Sequence, residues 1–254
     1  MGLEIFSLEG KTAVVTGASR GFGEAIAIGL AEAGADVVLA ARTESALQEV
    51  AAKIEALGRR ALVVPTDMMD KAVINRLAEE AIEAFGKIDI LVNNAGLGDN
   101  LPFLQMPEEE WDRIMNVNLK GYFLTTQAVG QHMFKARSGR VINISSAMAD
   151  TPLPFLTHYA ASKGGINSMT RSLAQEWAGR GITVNAIAPS YFETDMTESA
   201  RENEHASALI MSKTPLSRYG KVEELIGLVI YLAGDNSSYM TGAVIPLDGG
   251  WSAG

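Results

Sequence analysis

The chain contains no cysteine, which removes disulfides, thiolate nucleophiles and zinc–thiolate centres together. Its three histidines, His132, His158 and His205, lie far apart, and none has a metal-ligand neighbour at useful spacing. Long apolar stretches are missing too. The most apolar run, LIGLVIYLA at 225–233, is about half of the ~18 residues a membrane span requires, and reads as a buried helix. Residues 1–10 lack the basic flank and apolar core of a secretory signal. Gly2 would suit N-myristoylation, but Phe6 stands where serine or threonine is needed. Basic residues are outnumbered, 21 Lys and Arg against 30 Asp and Glu, for a net charge of −9. Nucleic acids and anionic membranes both select for basic faces, so neither partner is expected. There is no Pro/Ser-rich linker, repeat or low-complexity tract. These absences describe a soluble, cytoplasmic protein of one domain.

What remains is ample for a large core: 254 residues, 47% hydrophobic and 20% charged. Short apolar runs alternate with longer helical patterns along the whole length. Strands are expected at 12–16, 36–41, 61–65, 88–92, 140–145, 182–187 and 243–246. Helices are expected at 22–34, 44–58, 71–86, 107–136, 158–179 and 222–234. Continuous rather than alternating apolar strands indicate a parallel sheet covered on both faces. Strand–helix alternation then predicts a doubly wound α/β fold with its ligand at the carboxyl ends of the strands. Residues 190–214 break this rhythm. They follow Pro189 and mix five acids, Glu193, Asp195, Glu198, Glu202 and Glu204, with Arg201, His205 and Lys213. A segment this long between elements is usually functional.

The densest chemistry is at Tyr159-Ala-Ala-Ser-Lys163, with Ser146 thirteen residues upstream. Four residues apart on a helix, Tyr159 and Lys163 share a face. A phenol, with an ordinary pKa of about 10, is a poor acid or base near neutrality. A cation fixed beside it favours the phenolate and draws the pKa toward working pH. A serine hydroxyl within reach can hold a carbonyl or carbinol oxygen. Ser145 is the neighbour that could be confused with Ser146, but successive strand residues face opposite ways. The arrangement moves one proton, and lacks only a hydride carrier. A seat for one is announced earlier. The expected strand at 12–16 runs into Gly17-Ala-Ser-Arg-Gly21-Phe-Gly23 and then a helical pattern. A glycine turn lets backbone approach a ligand, and the helix N-terminus behind it presents free N–H groups to a pyrophosphate. The spacing, Gly-x3-Gly-x-Gly, differs from the G-x-G-x-x-G fingerprint and alone is a weak signal.

Together these motifs resemble the short-chain dehydrogenases/reductases of the single-domain type, nearly end to end. Thr16-Gly17-x3-Gly21-x-Gly23 resembles the cofactor turn, and Asn93-Asn94-Ala95-Gly96 the motif after the fourth strand. Asn116-Val-Asn118-Leu carries the family's helix asparagine at Asn118, and 189–194 covers the segment that meets the nicotinamide. The resemblance implies a Rossmann-like doubly wound parallel sheet flanked by helices. It implies Tyr159 as general acid in reduction and general base in oxidation, and Ser146 as hydrogen-bond partner of the reacting oxygen. Lys163 would lower the tyrosine pKa and hold the nicotinamide ribose. Asn118 would keep its helix locally open and order a water that links Lys163 to solvent.

For the cofactor, the resemblance assigns Gly17, Ser19, Arg20, Gly21, Phe22, Gly23, Asp67, Met68, Asn94, Ala95, Gly96, Pro189 and Thr194 to its walls, with Arg42 after the second strand. A carboxylate at that strand end would bind the 2′-hydroxyl of NAD, whereas Ala40-Ala41-Arg42-Thr43 has no acid until Glu44. Arg20 and Arg42 therefore point to NADP(H) over NAD(H). Two departures stand out: Phe22 replaces a small aliphatic residue, and Ser190 replaces the glycine that commonly follows Pro189, which puts the backbone there in question. No metal is expected.

The substrate pocket is expected between 97–100, 148–154 and a lid at 190–214, with Leu97, Met148, Leu153, Phe155, Tyr191 and Met196 as walls. No arginine or lysine obviously points inward to clamp an acid, which favours a neutral ketone, aldehyde or alcohol. Arg137 and Arg180 match positions that 3-oxoacyl carrier-protein reductases use to dock their acidic partner, which leaves that function as an alternative. A sugar or polyol dehydrogenase is another, and a non-catalytic cofactor sensor on the same fold a third. The resemblance also implies a homotetramer, with 107–136 and 158–179 forming one face and 222–234 with 243–246 the other.

Overall fold

Seven strands lie parallel in one sheet of order β3-β2-β1-β4-β5-β6-β7. They are β1 (Thr12–Thr16), β2 (Asp36–Ala41), β3 (Ala61–Pro65), β4 (Ile90–Asn93), β5 (Gly139–Ile144), β6 (Ile182–Pro189) and β7 (Val244–Leu247). The computed structural model describes residues 3–253; Gly2, considered above for acylation, lies outside them. The order reverses direction between β1 and β4, which opens a crevice at the carboxyl ends of those two strands. Among the described residues, no helix is long and apolar enough to cross a membrane.

Each strand is apolar on both faces because both faces are covered. Val15, Leu39 and Val92 pack against α1 (Gly21–Glu32), α2 (Glu44–Ala56) and α9 (Glu223–Ala233), through Ile26, Leu30, Leu47 and Val229. Their strand neighbours Val14, Val38 and Leu91 point the other way, onto α3 (Lys71–Phe85), α5 (Gly121–Ala136) and α6 (Thr157–Trp177). Period-two geometry thus turns one apolar run into two cores. Gly29 of α1 lets α9 pack closely, since a Cβ there would lie 2.3 Å from Ile226 Cγ2.

The expected elements appear with shifted ends where side chains intervene. β4 begins two residues late because Asp89 is occupied with the start of β1: its carboxylate accepts the Thr12 N–H at 2.8 Å. β6 runs on to Pro189, which pairs with Leu247 of β7. The helix expected at 107–136 is α4 (Glu108–Met115) and α5, joined by a π-helical turn at Asn116–Lys120. Residues 195–213 are a helical excursion of a short 3₁₀ turn, α7 (Glu198–Glu202) and α8 (Glu204–Lys213). Beneath it Met148, Ile210, Tyr219 and Trp251 form a third, smaller cluster.

Candidate active site

The glycine turn is shaped by contacts that side chains would block. Gly17 and Gly21 have φ of 66° and 56°, in the left-handed region. A Cβ on Gly17 would sit 2.8 Å from Ala95 Cα, and one on Gly23 only 2.0 Å from the Gly17 carbonyl oxygen. The first turn of α1 therefore presses directly on the loop before it. Thr16 and Asn94 stitch the turn to β4: Thr16 Oγ1 accepts the N–H groups of Asn94 and Ala95 at 3.0 and 3.2 Å. The Asn94 amide donates to the carbonyls of Thr16 and Gly17 at 3.0 and 3.2 Å. Asn94 lines the cavity, but its side chain serves the turn; Thr16, which opens the motif and was assigned no role of its own, is its partner. No side chain caps α1 at Arg20, so its first-turn N–H groups stay available to an anion. These features fit a dinucleotide pyrophosphate. Gly23→Ala should lower stability by about 1–3 kcal/mol, the usual range for overpacking, and weaken cofactor binding; a denaturant midpoint equal to wild type would contradict the contact.

Ser146, Tyr159 and Lys163 come together on the opposite wall, from the end of β5 and the first turns of α6. Ser146 Oγ accepts the Met148 N–H at 3.1 Å. Lys163 is buried, its ammonium 5.7 Å from the centre of the Tyr159 ring, and Nζ donates to the Ile144 carbonyl at 2.8 Å. Burial raises the Tyr159 pKa while a hydrogen bond with Ser146 lowers it. Burial also depresses Lys163 to about 7. The electrostatics therefore differ from the simple expectation of a lysine pulling a phenol down: desolvation disfavours both charged forms, and Lys163 itself titrates near neutrality. Ser145, just past the end of β5, also borders the cavity, but its hydroxyl is committed to α6, donating to Asn167 Oδ1 at 2.6 Å.

Asn118 sits at the centre of the π-helical turn, fully buried, and lines no part of the cavity. Its side chain exchanges two hydrogen bonds of 2.8 Å with the backbone of Leu97 and donates to Ser162 Oγ at 3.2 Å. It thereby positions the loop after β4 against α6. Gly98 of that loop lies flat on Tyr159, since a Cβ would be 3.3 Å from the ring.

These walls enclose a cavity of about 560 Å³. It is lined by Gly17, Ser19, Arg20, Gly21, Phe22, Arg42, Asp67, Met68, Asn94, Ala95, Gly96, Ser146, Tyr159, Lys163, Pro189 and Thr194. Of the expected site residues only Gly23 and Asn118 stand behind the wall, each for a packing reason given above. Asp67 Oδ1 accepts the Met69 N–H at 2.9 Å, and Met68 is buried beside Gly121. Arg20 is paired with Asp195 of the helical excursion at 3.4 Å, both exposed, while Arg42 makes no ion pair among the described residues. Phe22 meets Phe192 edge to face at 5.1 Å, so the departure is absorbed by an aromatic contact just before that excursion. Ser190 does not occupy the left-handed region, and glycine is not required there.

The expected substrate walls are only partly right. Leu97 and Met196 line the cavity. Met148 is buried beneath the helical excursion, Phe155 is exposed, and Tyr191 packs on Tyr219 and Trp251. Arg113 of α4 lines the cavity, although no inward-pointing arginine was expected there. Its place depends on the fold of the loop after β4, whose Asp99 pairs with Arg113 across fourteen residues of sequence.

A parallel doubly wound sheet with a serine, a tyrosine and a lysine facing a glycine turn defines a nucleotide-dependent oxidoreductase. A family model described as short chain dehydrogenase matches residues 11–205. The chain is 42% identical to a 3-oxoacyl-[acyl-carrier-protein] reductase of Thermotoga maritima over 243 residues, 96% of this chain and 98% of that protein. It is also 42% identical to the 2-dehydro-3-deoxy-D-gluconate 5-dehydrogenase of Escherichia coli K12, covering 99% of each. Among solved structures, a gluconate 5-dehydrogenase from Burkholderia cenocepacia in complex with NADP and tartrate superposes with a TM-score of 0.96 at 36% identity, covering 99% of each chain. The chain belongs to the short-chain dehydrogenase family.

Proposed function

We propose that this oxidoreductase interconverts a ketone or aldehyde and an alcohol with NADP(H), Tyr159 being the general acid and base. The observation that carries the reading is the convergence of Ser146, Tyr159 and Lys163 on one wall of a cavity whose other wall is the glycine turn with Arg20 and Arg42. When bound, the cofactor supplies or accepts the hydride. In reduction Tyr159 gives its phenolic proton to the substrate oxygen, which Ser146 holds; in oxidation the same proton returns. Lys163, titrating near neutrality, can replace the proton that Tyr159 gives up. Asn118 acts at one remove, fixing the Leu97 loop and ordering the water through which Lys163 exchanges with solvent. The segment at 190–214 closes the site as a lid.

Relatives named for gluconate-type substrates, together with a cavity of mixed polar and apolar lining, support a small polyhydroxylated substrate. The 3-oxoacyl reductase alternative is supported by the Thermotoga relative. In this chain the two candidate docking arginines are engaged at home: Arg137 donates to the Gly179 carbonyl at 3.2 Å, and Arg180 lies over Phe134. Turnover with NADPH and a panel of ketones, keto-sugars and 3-oxoacyl thioesters separates the readings.

The assembly belongs to the same proposal. Leu225, Val229 and Leu232 of α9 are buried in their own chain, while Leu228, Ile230 and Tyr231 are only half-buried. Phe123 on α5 is exposed. Two such faces related by two-fold axes build a D2 tetramer. Light scattering at micromolar concentration should give four times the 27.1 kDa chain mass; a monomer mass would remove the tetramer.

A further inference from the structure

Arg113 is a cation at the cavity whose guanidinium is already committed. Nε donates to Glu110 Oε2 at 2.8 Å and Nη2 to Glu110 Oε1 at 2.7 Å, while Nη2 also donates to Asp99. The Arg113 side chain is 38% exposed and Asp99 55%, with Glu110 more enclosed at 20%; Arg113 lines the cavity, and Asp99 stands beside it on the loop that carries Leu97. One guanidinium between two carboxylates leaves the group with a net charge of −1. Carboxylate ligands are best received by a free guanidinium fork, whose parallel N–H groups match the two oxygens. Here that edge is filled by Glu110, a carboxylate of the same chain. The two groups hold each other charged: pairing with Arg113 keeps the Glu110 carboxyl below its ordinary range.

The cluster is next to the reacting centre. Gly98, which lies on the Tyr159 ring, immediately precedes Asp99. The other cations of the cavity do not compensate. Burial disfavours the charged form of Lys163, Arg20 is paired with Asp195, and Arg42 follows β2 on the far side of the glycine turn.

We infer that Asp99 and Arg113 form a charge filter at the mouth of the substrate site, which admits an uncharged polyol or ketone and turns away a carboxylate. The inference rests on the oxidoreductase reading of the Tyr159 site and narrows its substrate class. It sets this chain apart from a simple transfer of the sugar-acid names carried by its relatives. Like charges a few ångströms apart in a partly enclosed site repel strongly enough for a discrimination of about tenfold.

Matched substrates test it. D-Glucitol and D-gluconate differ only in a hydroxymethyl or carboxylate at one end; xylitol and xylonate form a second pair. A ketone and its keto-acid counterpart extend the comparison to reduction. With NADP(H) saturating, kcat/KM should favour the neutral member of each pair by about tenfold or more. Asp99→Asn keeps the side-chain shape, removes the charge and leaves Arg113 with Glu110 as a neutral pair. It should shift the acid-to-neutral ratio toward the acid by about tenfold, and Asp99→Ser should do the same. Calorimetric titration of gluconate into the NADP⁺-loaded protein should show tighter binding to both variants. A wild-type enzyme that prefers the acids overturns the filter and leaves the oxidoreductase reading standing. So does an unchanged ratio in variants that melt like wild type. Turnover of no pair in either direction removes the reading and the inference together.

Discussion

Replacing Tyr159 by phenylalanine should lower turnover by roughly 10²–10⁴-fold while NADPH binding survives, because general acid–base catalysis has that magnitude. The substitution removes one oxygen from a ring that stays packed between Gly98 and Lys163, so the cavity keeps its shape. A loss below tenfold at saturating substrate would reject Tyr159 as the proton carrier. The pH dependence supplies an independent check. Burial holds the Tyr159 pKa above its ordinary value, so the protonated acid needed for reduction is present throughout the neutral range. Reduction should therefore fall only on the alkaline side. Oxidation needs the deprotonated base and should climb by about tenfold per pH unit below the tyrosine pKa. A second inflection near 7 is expected in the wild type from Lys163 and should vanish in Lys163→Met, whose side chain cannot titrate.

NADPH should be used in strong preference to NADH, and Arg42→Asp combined with Arg20→Ala should reverse the order by about 10²-fold or more. A hydrogen bond to a charged group contributes roughly 1.5–3 kcal/mol, and each 1.4 kcal/mol or so is tenfold in binding. Arg42 is exposed at the mouth and unpaired among the described residues, so it can meet a 2′-phosphate without leaving another partner. Arg20 gives up little in turning from Asp195, since an exposed ion pair at 3.4 Å is worth about 0–1 kcal/mol. The aspartate introduced at position 42 would repel the phosphate and offer a partner to the ribose hydroxyl of NADH. The ratio of kcat/KM for the two cofactors reads this directly. Equal or better use of NADH by the unaltered enzyme would dismiss both arginines as determinants.

Much of this site was legible in the sequence because its chemistry is local. Tyr159 and Lys163 share a helix face by spacing alone. Gly17 and Gly23 stand where backbone passes close to backbone, and Gly21 where the chain turns through positive φ, demands that glycine meets best. Strand positions were readable because strands covered on both faces are apolar throughout, and six helices emerged from periodicity with ends within a few residues. Shifted ends, as at β4, trace to a side chain such as Asp89 bonding to a distant strand.

Other features depend on contacts between segments remote in sequence. The motif around Asn118 implied a locally open helix, but the form of that opening, a π-helical turn at Asn116–Lys120, and the partner of Asn118 at Leu97 came only with the fold. The substrate walls named from loops were partly wrong, because whether Tyr191 or Phe155 faces the cavity depends on how the segment after Pro189 packs on Trp251. The charge state of the acid–base pair also belongs to the tertiary structure, since desolvation, which dominates both Tyr159 and Lys163, is a property of everything packed around them. By itself the sequence determined the sheet, the glycine turn and the candidates for proton transfer, all consequences of patterning and spacing along the chain. Only the fold decided that Arg113 reaches the cavity already bound to Asp99 and Glu110, because an ion pair between a loop and a helix exists only once both have been placed.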